Sequence, residues 1–214
     1  MNALLIGSID VLVDTSELQR SAFNDAFHDA GLDWYLSRDE YRRMLAIPGG
    51  KRRIEAFAER AEERVDSAAL HAHKTEIFRQ MLRRGGLEIR VQIAQAMEEA
   101  RRHGLKLGFV TGTDRAIVDA LLDNLGGAEA LGFDFVTTAA DGCAAKPDPA
   151  LYLHALKQLE IDASEAVAIE DYLPGIEAAR AAGIACHAYP HENALAHDLG
   201  ETPDMSELTL KRAA

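Results

Sequence analysis

The sequence predicts an α/β fold, a parallel sheet covered by helices with a helical domain inserted after the first strand. Three observations carry this. From residue 105 onward, short apolar runs alternate with helical stretches, the pattern of parallel strands joined by helices. One further apolar run, residues 3–9, stands far from the other four. Between them, over residues 15–85, apolar positions recur at helical spacing.

Taken in order, ALLIGSI (3–9) is a buried strand that runs into a loop and then a helix. In the helical block, Leu18, Ala22, Phe23, Ala26 and Phe27 fall on one helix face. Trp34 and Tyr35 read as packing of that block, and AEERVDS (61–67) as a solvated face or turn. The later strands are LKLGFVT (105–111), FDFVTTA (133–139), AVAIED (166–171) and IACHAY (184–189), with helices over 92–103, 115–125, 149–159 and 174–182. Asp148-Pro149 marks a helix start, and Gly104 and Gly183 mark helix ends. The boundaries that follow are 1–14 with 86–214 for the α/β core and 15–85 for the helical insert.

Composition narrows the function classes. With 214 residues, 48% of them hydrophobic, the chain can bury a substantial core. Its 23 basic and 35 acidic residues give a net charge of -12, which disfavours nucleic acid and anionic membranes as partners. Cys143 and Cys186 lie far apart, outside any disulfide or zinc pattern. The apolar N-terminal run is short and broken by Asp10, so neither a signal peptide nor a membrane span is expected, and the expected compartment is the cytoplasm. The sequence leaves any protein partner unspecified.

In open parallel sheets ligands sit at the carboxyl ends of strands, near a topological switch point. Four strand ends therefore matter. Gly7-Ser8-Ile9-Asp10 offers no nucleophile at its tip, and strand alternation turns Ser8 away from the side of residues 7 and 9. Thr111-Gly112-Thr113-Asp114 either holds a phosphate with a hydroxyl and free backbone N–H groups or simply caps the following helix. Lys146, before Pro147, is either a counter-charge for an anion or a solvated surface lysine. Glu170 and Asp171 either bind a hard divalent cation or stabilise the start of the next helix. The histidines show no ligand spacing on a shared helix face that another residue completes.

A hydroxyl after the second strand, a lysine before a proline-led helix and a carboxylate pair after a later strand together resemble motifs II, III and IV of the haloacid dehalogenase (HAD) superfamily. DTSELQRSAFNDAF and IPGGKRRIEAF resemble the cap of its CbbY-like branch, related to the β-phosphoglucomutases. The resemblance implies a Rossmann-like core, a four-helix cap, Mg²⁺ and phosphoryl transfer through an aspartyl-phosphate. Thr111 and Lys146 would be catalytic, with Gly49, Gly50, Lys51 and Gly112 binding substrate. The family's first motif reads D-x-D-G-[TV]-L-x-D-T; aligned on VLVDT (11–15), it puts Gly7 at the nucleophile, Ile9 at the acid/base and Asp10 at the glycine. Glycine has no oxygen to attack phosphorus, and isoleucine cannot protonate a leaving alkoxide. Of the family's metal ligands there would be the Ile9 carbonyl and Asp171, with Glu170 in support and Asp10 as a further candidate. Tyr172 stands at the family's serine, Gln19 at a cap-entry histidine, and Arg90-Val91-Gln92 where a hinge often reads R-P-G. The expectation is a protein of phosphatase lineage, impaired in catalysis, that binds a small phosphorylated metabolite or a partner as a pseudoenzyme. The alternative is a Mg²⁺-dependent sugar phosphatase that uses a metal-activated water.

Overall fold

The structure is a computed structural model that describes residues 1–47, 49–194 and 199–210. Two compact units result: Met1–Asp14 with Gly86–Ala214, and Thr15–Gly85.

In the first unit, β1 (Ala3–Ile6), β2 (Lys106–Val110), β3 (Phe135–Thr137), β4 (Ala166–Glu170) and β5 (Ala185–Ala188) form one sheet in the order β3-β2-β1-β4-β5. Every neighbouring pair is parallel. All four residues of β1 are buried, as expected of a central strand with both faces covered. The helices of this unit are α1 (Ile9–Leu12), α6 (Val91–Arg102), α7 (Arg115–Asn124), α8 (Ala150–Leu159) and α9 (Leu173–Ala181). Leu5 shares one apolar cluster with Tyr152, Ala155 and Leu159 of α8 and Ile176 and Ala179 of α9. Gly104 and Gly183 end α6 and α9 with φ of 65° and 80°. The next residues, Leu105 and Ile184, donate back to Ala100 and Ala179. That closure needs the left-handed backbone that glycine adopts without strain.

The first strand is shorter than the sequence predicts, ending at Ile6 rather than residue 9. Ser8 caps α1, its Oγ accepting from the Val11 N–H at 3.1 Å. Strand alternation therefore stops before Ser8, and the orientation it predicts for this side chain does not apply.

The second unit holds α2 (Ser16–Asp29), α3 (Arg38–Met44), α4 (Gly50–Ala61) and α5 (Ser67–Arg83). Its core is aromatic: Phe27 meets Trp34 edge-on at 5.3 Å between ring centroids, and Trp34 lies 4.9 Å from Phe57. Trp34 is buried, whereas Tyr35 is 63% exposed and does not join the packing expected of it. Asp66 within the AEERVDS stretch caps α5 by accepting from Ala68 and Ala69 N–H. No helix among the described residues is long and apolar enough to cross a membrane.

Because Leu5 is fully buried in the central strand, Leu5→Ala is expected to lower unfolding free energy by about 2–5 kcal/mol in denaturant titration.

Candidate functional site

The chain crosses from one side of β1 to the other between β3 and β4, so the switch point lies beside β1. At its carboxyl end, Gly7 N–H donates to the Ile169 carbonyl at 2.9 Å. Gly7 has no side chain to place there, and the Glu170 carboxylate fills the space. A Cβ at Gly7 would overlap that carboxylate, as would one at Gly175 on the other side. Glu170 Oε1 accepts from Lys146 Nζ at 2.5 Å and from the Tyr152 hydroxyl at 2.6 Å. Lys146 Nζ also donates to the Gly7 carbonyl at 2.5 Å and the Val110 carbonyl at 2.8 Å. The ion pair is sealed, with side-chain exposures of 3% for Lys146 and 0% for Glu170. An ammonium has three donors, and these contacts occupy them all. Burial, together with the Glu170 charge, holds the Tyr152 hydroxyl well above its ordinary pKa, so it stays a donor.

Asp171 faces a different set of groups. Successive residues leaving a strand project to opposite sides, which separates it from Glu170. Ser8 Oγ donates to Asp171 Oδ1 at 2.7 Å. Asp10, Asp171 and His191 each place one ligand atom so that all three lie within 4.8 Å of one another. Burial above all, then the charges of Asp10 and Glu170, push Asp171 up to about 8 against the opposing Ser8 hydrogen bond. Arg90 fixes the loop that carries His191. Its guanidinium donates to the Asp10 carbonyl at 3.0 Å, the Tyr189 carbonyl at 3.0 Å and the Pro190 carbonyl at 2.6 Å, and lies 3.4 Å from the Tyr189 ring centroid. Asp14 accepts from Glu192 N–H at 2.6 Å, a second tie between the same two segments.

The other expected site residues are placed as follows. Thr111 is buried, its hydroxyl donating to Thr113 Oγ1 at 2.9 Å and accepting from Thr113 N–H at 3.2 Å. Gly112 is exposed beside it, and Asp114 caps α7 through Ala116 N–H. Gly49, with φ of 86°, and Gly50 open α4 in the helical unit, where Lys51 is exposed and 3.5 Å from Glu55. Lys146 is buried and saturated rather than a solvated lysine or an open anion site. Glu170 has Oε1 held by Lys146 and Tyr152, while its buried Oε2 has no hydrogen-bond partner. Asp10, a further candidate ligand from the sequence, lies beside Asp171, and His191 joins them although the histidines show no pattern in sequence. Tyr152 also escapes sequence reasoning, since its spacing with Leu151, Ala155 and Leu156 is that of an ordinary core face.

The Mg²⁺ arrangement implied by the family is incomplete in these residues. Gly7 supplies no carboxylate, Glu170 is neutralised, and the Ile9 carbonyl accepts from Val13 N–H at 2.9 Å within α1. Of the family's carboxylate ligands, Asp171 and the unpartnered Glu170 Oε2 remain, and the one from position 7 is missing.

Removing Lys146 would leave a buried, unpaired carboxylate. Lys146→Met is expected to cost about 3–5 kcal/mol of stability, and adding Glu170→Gln to recover most of it, measured by equilibrium unfolding of both variants.

A family model described as haloacid dehalogenase-like hydrolase matches residues 10–189. Its matched span begins just past Gly7 and Ile9. The protein CbbY of Cereibacter sphaeroides is 37% identical over 196 residues, covering 89% of this chain and 84% of that protein. The phosphorylated carbohydrates phosphatase of Thermotoga maritima is 26% identical over 187 residues, covering 86% of this chain and 82% of its own length. Among solved structures, CbbY from Rhodobacter sphaeroides in complex with phosphate superposes with a TM-score of 0.81 at 32% identity, covering 97% of this chain and 96% of that one. A variant of the same protein was solved in complex with xylulose-(1,5)-bisphosphate, again with a TM-score of 0.81, at 31% identity and with the same coverage of both chains. With its parallel sheet, its switch-point site and these relatives, the chain belongs to the haloacid dehalogenase-like hydrolase family, in its CbbY-like phosphatase lineage.

Proposed function

We propose that this protein binds a small phosphorylated carbohydrate without transferring its phosphoryl group through an aspartyl-phosphate. One observation carries the reading: every donor of Lys146 is engaged, one of them by a Glu170 carboxylate lying in the space a side chain at Gly7 would need. The nucleophile position has no oxygen and the acid/base position is Ile9, 7% exposed and apolar. A carboxylate already held by an ammonium and a phenol is a weak nucleophile, and complete burial keeps it from phosphorus. The ligand class comes from the relatives, one named a phosphorylated carbohydrates phosphatase and one solved with a sugar bisphosphate. Thr113, Gly112 and the start of α7 supply the polar end of such a site in the α/β unit.

A second reading is favoured by the Asp10–Asp171–His191 cluster, which offers donors for a metal ion at the same switch point. It is phosphatase activity that depends on such an ion rather than on a side-chain nucleophile.

In Mg²⁺, hydrolysis of a generic phosphate ester and of a sugar-phosphate panel is expected at background in the wild type. Gly7→Asp/Ile9→Asp/Asp10→Gly is expected to turn over once Glu170, a flexible side chain, yields its place. Thermal shifts with the same sugar phosphates at millimolar concentration should be stabilising in the wild type. Wild-type turnover that disappears in Asp171→Ala would overturn the first reading, and no shift with any phosphate would remove its ligand class.

A further inference from the structure

The mismatch between the implied Mg²⁺ arrangement and the residues present has a counterpart a few ångströms away. We propose that Asp10, Asp171 and His191 form a site for one divalent transition-metal ion of the Zn²⁺ type, in place of Mg²⁺. The inference does not depend on whether the protein turns over a phosphate.

Three features of the cluster support it. The first is separation. The ligand atoms lie within 4.8 Å of one another, and bonds of about 2.0–2.2 Å to Zn²⁺ bring ligand pairs to roughly 3–4 Å apart, so side-chain adjustments of about an ångström would close the site. The second is chemistry. An imidazole with two carboxylates is a mixed nitrogen and oxygen set, which suits zinc and its first-row neighbours; Mg²⁺ prefers oxygen alone.

The third feature is the state of His191 itself. It is 8% exposed, and Nδ1 accepts from Asn193 N–H at 3.2 Å. The neutral ring therefore carries its lone pair on Nδ1 and its proton on Nε2, so Nδ1 is the nitrogen that would bind an ion once the long Asn193 contact gives way. An ion between the three would relieve the repulsion of Asp10 and Asp171.

Preorganisation makes the grouping more than proximity. Arg90 holds the Asp10 carbonyl and the two carbonyls just before His191 on one guanidinium, so both ligand segments are fixed to the same point. Ser8 orients Asp171 through Oδ1, the kind of outer hydrogen bond that accompanies metal-ligating carboxylates.

The test is metal binding by chelator-stripped full-length protein, followed by calorimetry and by thermal shift. Zn²⁺ should bind with one-to-one stoichiometry and stabilise the fold, while Mg²⁺ at millimolar concentration should do neither. His191→Gln and Asp10→Asn should each weaken Zn²⁺ by about tenfold to a hundredfold, with melting of the metal-free variants checking that they fold. Co²⁺ should give visible absorption bands in the wild type that His191→Gln alters. Zn²⁺ affinity or Co²⁺ bands unchanged in His191→Gln would place the ion elsewhere and overturn the proposal. So would Mg²⁺ binding as tightly as Zn²⁺, or no Zn²⁺ binding at all. Phosphate-ester hydrolysis is read in a separate assay, so the two proposals fail independently.

Discussion

A buried ion pair between Lys146 and Glu170 governs the carboxyl end of this sheet. It ties four segments together, because Lys146 also holds the ends of β1 and β2 through the Gly7 and Val110 carbonyls, and Tyr152 adds α8. Such a pair gains its Coulombic energy in a low-dielectric interior only after both ions have been desolvated. Here hydrogen bonds to Lys146 and to Glu170 Oε1 offset part of that desolvation, while Glu170 Oε2 has no partner. The absence of a side chain at Gly7 and at Gly175 makes the arrangement possible, since a Cβ at either would displace the carboxylate. Glycine at position 7 is thus more than a missing oxygen, because it gives Glu170 room to neutralise the lysine of this site.

From that placement the second cluster follows. Glu170 is the last residue of β4, so Asp171 must project toward the turn that begins at Ser8. The shortened β1 brings the turn's own carboxylate, Asp10, to the same side, and Arg90 brings the loop after β5. Two adjacent acids thereby serve two environments, one closed by an ammonium and the other a mixed-donor cluster. The proposals for phosphate binding and for a transition metal both rest on this division.

Much of the fold was legible in the sequence because its signals are local. The parallel strands showed as short apolar runs, and Gly104 and Gly183 marked helix ends by their chirality. Strand ends were less legible: LIGSI reads as uniform, yet Ser8 turns the chain by capping α1. The site was legible wherever residue identity decides, as for Gly7 and Ile9, which cannot perform carboxylate chemistry in any geometry. It was not legible where a pairing spans long separations. Lys146 with Glu170, and Asp10 with His191, come together only through the sheet order and the Arg90 clamp. Tyr35 illustrates a further limit, because one aromatic of a neighbouring pair is buried while the other faces solvent.

The proposed function requires that no carboxylate at this sheet end accepts a phosphoryl group. Fluorine NMR of the protein with beryllium fluoride, which mimics a phosphoryl group bound to a carboxylate, tests it most directly. With Glu170 sealed by Lys146 and Tyr152, only the resonances of free fluoride species are predicted. A set of protein-bound resonances that vanishes in Glu170→Gln would contradict the claim, because Glu170 would then be acting as the missing nucleophile.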